Sequence, residues 1–174
     1  MIAIQDSKQR FESRARLNQA HPPHFSPGVT QFDFSQGLAD QFHRLWELMR
    51  TAGERLDVHP VEIRRLFLIM DDVRDQLSTF FLWKEMFTDE SEIALRFHRQ
   101  ASAIAAERAD LYLDACEVAD QARDLLFHSE TPIQDRIEAL KASFEDFCER
   151  LRSNERRETE LVIRSAFEDI GLGD

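Results

Sequence analysis

Leu77, Phe80 and Lys84 stand in one segment of the chain, and Leu151, Asn154 and Glu158 stand in another at the same spacing of three and then four residues. At about 100° per residue this spacing puts each trio on a single helical face. Both faces are otherwise apolar, so an ammonium, an amide and a carboxylate project where a helix normally buries its side chains. An isolated buried charge costs several kcal/mol, whereas a paired one comes close to breaking even against apolar packing. Lys84 and Glu158 are therefore expected to neutralise one another across a helical interior, with Asn154 hydrogen-bonding one of the two. The competing arrangement has Lys84 snorkelling outward past Phe87 and leaves Glu158 in water.

Four helical patterns must position these groups. The first runs from about Asp33 to Asp57 and aligns Leu38, Phe42, Leu45, Trp46, Met49 and Leu56 at spacings dominated by three and four. Pro60, suited to a first helical turn, opens the second, which carries Ile63, Leu66, Met70, Val73, Leu77 and Phe81 to about Phe87. A third extends from Ser91 to about Phe127, and its alanines predict close approach to a neighbour. "TPIQ", Thr131 to Gln134, reads as an N-cap, first-turn proline and capping-box glutamine. The fourth helix runs from there to about Ile170 with the stripe Leu140, Phe144, Phe147, Leu151, Asn154, Glu158, Val162, Ser165, and "GLG" ends it. No run from Asp33 to Ile170 alternates with period two. Short connections between long amphipathic helices force consecutive helices to be antiparallel. The expected fold is all-α: an up-down-up-down four-helix bundle over residues 31–174. Residues 1–30, with Lys8, Arg10, Arg14, Arg16 and "HPPHFSPG", read as a mildly basic N-terminal arm, partly extended or disordered.

Composition narrows the function classes. The 174 residues suit one domain, and 43% hydrophobic with 32% charged residues is a globular balance. A net charge of −11 argues against nucleic acid as the principal partner, because phosphate binding needs concentrated basic surface. No apolar run reaches membrane-spanning length, and no apolar signal segment opens the chain. The expectation is a cytoplasmic protein with Cys116 and Cys148 as reduced thiols. His21 and His24 lack further ligands nearby. There is no G-x-S-x-G, P-loop, Gly-rich phosphate turn, CxxC or paired E-x-x-H, so no enzyme is expected.

The segments "LSTFFLWKEMF" (Leu77 to Phe87) and "LRSNERRETEL" (Leu151 to Leu161) resemble, in apolar framing, spacing and order, the hemerythrin-like, HHE-type iron-binding bundles. There the second and fourth helices each carry L-x-x-H-x-x-x-E, and the first and third add histidines to a di-iron centre. At the matching positions this chain has Phe80 and Asn154 for the histidines and Lys84 for one carboxylate; Glu158 alone keeps a family ligand type. Phenylalanine has no donor atom, and an ammonium ligates only after losing its proton. The resemblance thus implies a bundle that has lost its di-iron site, with no cofactor expected and the interior taken over by Phe80, Lys84, Asn154 and Glu158. His43 and His98 lie at plausible places for the remaining histidines, although Phe42 and Phe97 fit the apolar stripes better. The alternative is a reduced single-iron site of His43, His98 and Glu158, serving iron or oxygen sensing, which Lys84 would oppose by its charge. Acidic faces, the basic arm and 14 phenylalanines suit a binding or regulatory module with a protein partner or self-association. Phe11, Phe25, Phe32 and Trp83 are the aromatics first expected at such contacts.

Overall fold

The computed structural model of the chain describes residues 31–58, 60–88, 97–127 and 129–170, with side chains for 36–58, 60–85, 97–127 and 129–165. Four helices make up this part: α1 Gln31–Asp57, α2 Ile63–Thr88, α3 His98–Asp124 and α4 Ile133–Ile170. Among the described residues there is no strand. The compact unit that carries the bundle runs from Leu38, and Met1–Gly37 form a separate unit. The expected arm, with Phe11, His21, His24 and Phe25, and the side chain of Phe32 lie outside the described residues.

A repeat of three and four residues selects the core. On α1 the buried residues are Leu45, Met49, Ala52 and Leu56; on α2 they include Leu66, Met70, Val73, Leu77, Phe80 and Lys84. The seam of α3 is Ile104, Arg108, Leu111, Ala115, Val118 and Ala122, and that of α4 is Ile137, Leu140, Phe144, Phe147, Leu151 and Asn154, resuming at Leu161. This spacing, close to the α-helical repeat of about 3.6 residues, keeps each seam on one face of its helix, as bundle packing requires. Helix order follows from the cross-contacts. Gln76 bonds Gln41 and the rings of Phe42 and Phe80 meet at 5.7 Å, joining α1 to α2. Arg150 pairs with Asp114 and Arg157 with Glu107, so α3 and α4 run antiparallel. Lys141 pairs with Asp57, and the Arg152 guanidinium lies 5.2 Å from the Trp46 ring centre, which sets α1 beside α4 with opposite direction. The helices thus form a four-helix bundle with α2 and α4 facing across it.

Packing is uneven around this ring. α3 lies close to both α2 and α4, whereas α1 approaches its neighbours less closely. Side-chain volume accounts for the difference, since interhelical distance follows the residues at the contact. Ala115, Ala119 and Ala122 line α3, while Trp46, Met49 and Phe144 stand between α1 and α4.

Several helix ends depart from the sequence expectation. α2 starts at Ile63 rather than at Pro60, and Leu66 N–H donates to Glu62 O at 2.9 Å. In α4 the opening carbonyl belongs to Pro132, which accepts from Arg136 N–H, so the helix begins one residue later than the Thr131 cap predicts. α3 ends at Asp124, not Phe127, because the next turns tighten: Leu126 and Phe127 donate to carbonyls three residues back. The Arg136 side chain holds that end, donating to Asp124 O and to Phe127 O.

Candidate functional site

Each polar residue in the interior occupies a seam position, and the helix geometry turns it inward. Lys84 follows Leu77 and Phe80 on α2 and is 6% exposed, so the snorkelling arrangement does not occur. Its ammonium donates to both Glu155 oxygens at 2.8 and 2.6 Å and to Glu158 Oε2 at 2.6 Å. It also lies 4.8 Å from the centre of the buried Phe80 ring. The second Glu158 oxygen accepts from Arg108 Nη2 at 3.0 Å. Two cations and two carboxylates from three helices therefore meet in one neutral cluster. Lys84 and Glu158, which the sequence paired, are together in it.

Asn154 is fully buried but bonds neither Lys84 nor Glu158, contrary to the sequence expectation. Its amide nitrogen donates to Ile104 O and to Glu107 Oε2, each at 3.1 Å. The reason is directional. The seam turns Asn154 toward α3, one turn short of the ammonium, and the nearest acceptors there are the Ile104 carbonyl and Glu107. Arg157 clamps the same Glu107 carboxylate, donating to Oε1 at 2.8 Å and also to Oε2. Four buried side-chain polar atoms have no hydrogen-bond partner among the described residues: Asn154 Oδ1 and Arg108 Nε here, and Trp46 Nε1 and Gln121 Oε1 elsewhere.

Arg108 and Glu155 are the residues that sequence reasoning missed. Arg108 falls between Ile104 and Leu111 at the seam period, and that position is its signal. Glu155 reads in sequence as part of an outer charged face, yet its side chain is 15% exposed because Lys84 reaches it from the seam. Burial raises the Glu155 carboxyl above its ordinary range, outweighing the lowering effect of Lys84. Glu107 goes the other way, held low chiefly by the hydrogen bond from Arg157. Val162, expected on the core stripe, is exposed, and Leu161 is buried in its place. Trp83 is half-buried.

The donor set does not fit an iron centre. Phe80 offers no ligand atom and both Glu158 oxygens are engaged by cations, which leaves Asn154 Oδ1 as a lone neutral oxygen beside two buried positive charges. His43 and His98 are both exposed and are not brought to Glu158. Among the described residues no group of three or more His, Cys, Asp or Glu side chains is arranged to hold a metal ion. No disulfide links the described thiols Cys116 and Cys148. No described helix is long and apolar enough to cross a membrane. Comparison with protein-family models, with curated proteins and with solved structures finds no match to this chain.

Proposed function

We propose that the chain is a non-catalytic, hemerythrin-like helical bundle that has lost its di-iron site and works as a binding or regulatory module. The observation that carries this reading is the engagement of Lys84 by Glu155 and Glu158 beside the buried Phe80 and Asn154. Where iron-binding bundles of this kind would place ligands, the chain has an ammonium and carboxylates that satisfy one another. A cation entering there would have to displace Lys84 and Arg108 from Glu158, stranding the buried Arg108 and leaving Lys84 with Glu155 alone. The binding half of the proposal draws on the surface. Leu126, Phe127 and Ile133 are exposed around the α3–α4 connection, and Val162 and Ile163 are exposed on α4. Grouped exposed apolar side chains are the usual mark of a contact face.

The test is elemental analysis of full-length protein purified without oxygen or chelator after expression in iron-replete medium. The proposal expects iron far below one equivalent per chain and unchanged thermal stability on adding ferrous iron. Stoichiometric iron, lost together with stability on chelation, would overturn it in favour of the sensing alternative. Light scattering of the full chain, and of a chain beginning at residue 31, tests whether residues 1–30 drive self-association.

A further inference from the structure

A groove between α1 and α4 lies apart from the Lys84 cluster, which joins α2, α3 and α4. Its volume is about 300 Å³, at the lower end of small-molecule sites. Trp46, Met49, Leu56, Phe144 and Cys148 form its apolar lining, with Gly53 on the α1 side. The space follows from the residues. Trp46 and Phe144 hold the two helices apart, and Gly53 puts no side chain between them. A methyl group at Gly53 would meet Phe144 at 3.8 Å, an ordinary contact, so packing does not demand glycine here. A mid-helix glycine weakens a helix relative to alanine, and what it leaves here is open space.

The charges around the groove select the ligand. In a chain of net charge −11 the lining carries three cations, Arg50, Lys141 and Arg152, against two carboxylates, Asp57 and Glu145. Arg50 is held by Glu47 and Glu54, and Lys141 by Asp57. Among the described residues no carboxylate pairs with Arg152, whose guanidinium rests on the Trp46 ring. A stacked guanidinium keeps its in-plane N–H donors for an anion. From Lys141 to Arg152 the helix advances about 16 Å, which gives the groove length as well as width.

We propose that this groove binds a small amphipathic carboxylic acid, whose hydrocarbon body lies on Met49, Leu56 and Phe144 and whose carboxylate meets Arg152. The proposal is independent of the metal-free reading of the bundle interior. The test is isothermal titration of the full chain with sodium decanoate below its micelle concentration, alongside decan-1-ol and decylammonium as neutral and cationic probes. Decanoate binds saturably, one per chain, more tightly than the alcohol and far more tightly than the amine. Arg152→Met weakens decanoate roughly tenfold or more and leaves the alcohol unchanged, while Arg152→Lys keeps the charge without the stacked fork and recovers only part of the affinity. Gly53→Leu fills the groove and removes binding of both. Arg152 is exposed, so its variants keep the test decisive should Gly53→Leu not fold. Absence of saturable decanoate binding, equal affinity for decylammonium, or unchanged decanoate affinity in Arg152→Met overturns the proposal.

Discussion

Lys84→Met separates a neutral buried cluster from an incidental surface contact. The Lys84 side chain is 8% exposed and makes three short contacts to two carboxylates. Its removal does not strand both carboxylates equally. Glu158 keeps Arg108 at 3.0 Å, whereas both hydrogen bonds that the Glu155 carboxylate accepts among the described residues come from Lys84. Stripping one partner from a buried ion pair costs about 3–5 kcal/mol, and here most of that falls on Glu155. For a chain of this size the loss lowers Tm by about 6–20 °C. The repair is therefore Glu155→Gln, not Glu158→Gln, because Glu158→Gln would also strip Arg108 of its carboxylate. Lys84→Met with Glu155→Gln should recover most of the loss.

Acid supplies a second readout of the same variants. The folded Glu155 carboxyl already titrates above its unfolded value, so the folded state binds the extra proton in that window. Its contribution consequently lowers stability as pH rises through the window, and removing Lys84 enlarges the effect. The Lys84→Met deficit should shrink from neutral to mildly acidic pH as Glu155 takes up its proton, while the double variant shows no such recovery. Urea unfolding followed by far-ultraviolet circular dichroism measures both. A deficit below about 1 kcal/mol, the level of exposed pairs, would refute the buried-cluster argument. So would equal deficits in the single and double variants at both pH values.

Other expectations are specific to single residues. Glu107 has a lowered folded pKa, so its contribution is complete above the unfolded carboxylate range near pH 4.3 and is lost as pH falls through the folded value. Glu107→Gln should flatten the acid limb of the stability profile by up to about 1 kcal/mol, its side chain being 40% exposed. Cys148 is raised to about 11 by burial, so iodoacetamide should leave it unmodified in folded protein at pH 8 and label it after denaturation. Gly53→Ala should stabilise by about 0.5–1 kcal/mol in urea, since its new methyl group meets nothing nearer than Phe144 at 3.8 Å. Phe80→Ala should cost about 3–5 kcal/mol, because the ring is buried against Phe42, Phe81 and the Lys84 ammonium.

How far these residues could be read in advance depended on how many helices each one needs. The bundle was legible because apolar residues at spacings of three and four report their own helix. Lys84 and Glu158 were legible too, as the same device repeated on two facing helices. Arg108 was lost because a long side chain at a seam position resembles an outer-face arginine until the neighbouring helix is in place. Glu155 was lost for a related reason: it lies off the stripe of its own helix, and only the reach of a lysine from α2 encloses it. Helix ends moved by a few residues because Pro60 and Thr131 mark a turn without fixing which carbonyl takes the first bond. Those decisions rest on hydrogen bonds such as Leu66 N–H to Glu62 O, whose alternatives differ little in energy.

The polar seam residues are better understood as setting register than as adding stability. Lys84, Arg108, Asn154 and Glu158 replace apolar residues in a pattern where leucine would pack well, and buried ionic groups gain little over such packing. If any one helix slid by a heptad, however, the cluster would meet Leu77, Ala115 or Leu151 and leave charges without partners. Uniform apolar seams carry no such penalty, and a single polar seam residue can fix register in helical assemblies at a cost in stability. Asn154 isolates this effect, because its Oδ1 is buried without a partner while Glu107 retains Arg157 when the amide is gone. Asn154→Leu should therefore leave stability unchanged or higher by about 1 kcal/mol, and broaden the amide resonances of α3 and α4 as alternative registers become populated. A loss of more than about 2 kcal/mol with resonances as sharp as those of the parent would assign the amide to stability and remove it from the register-setting group.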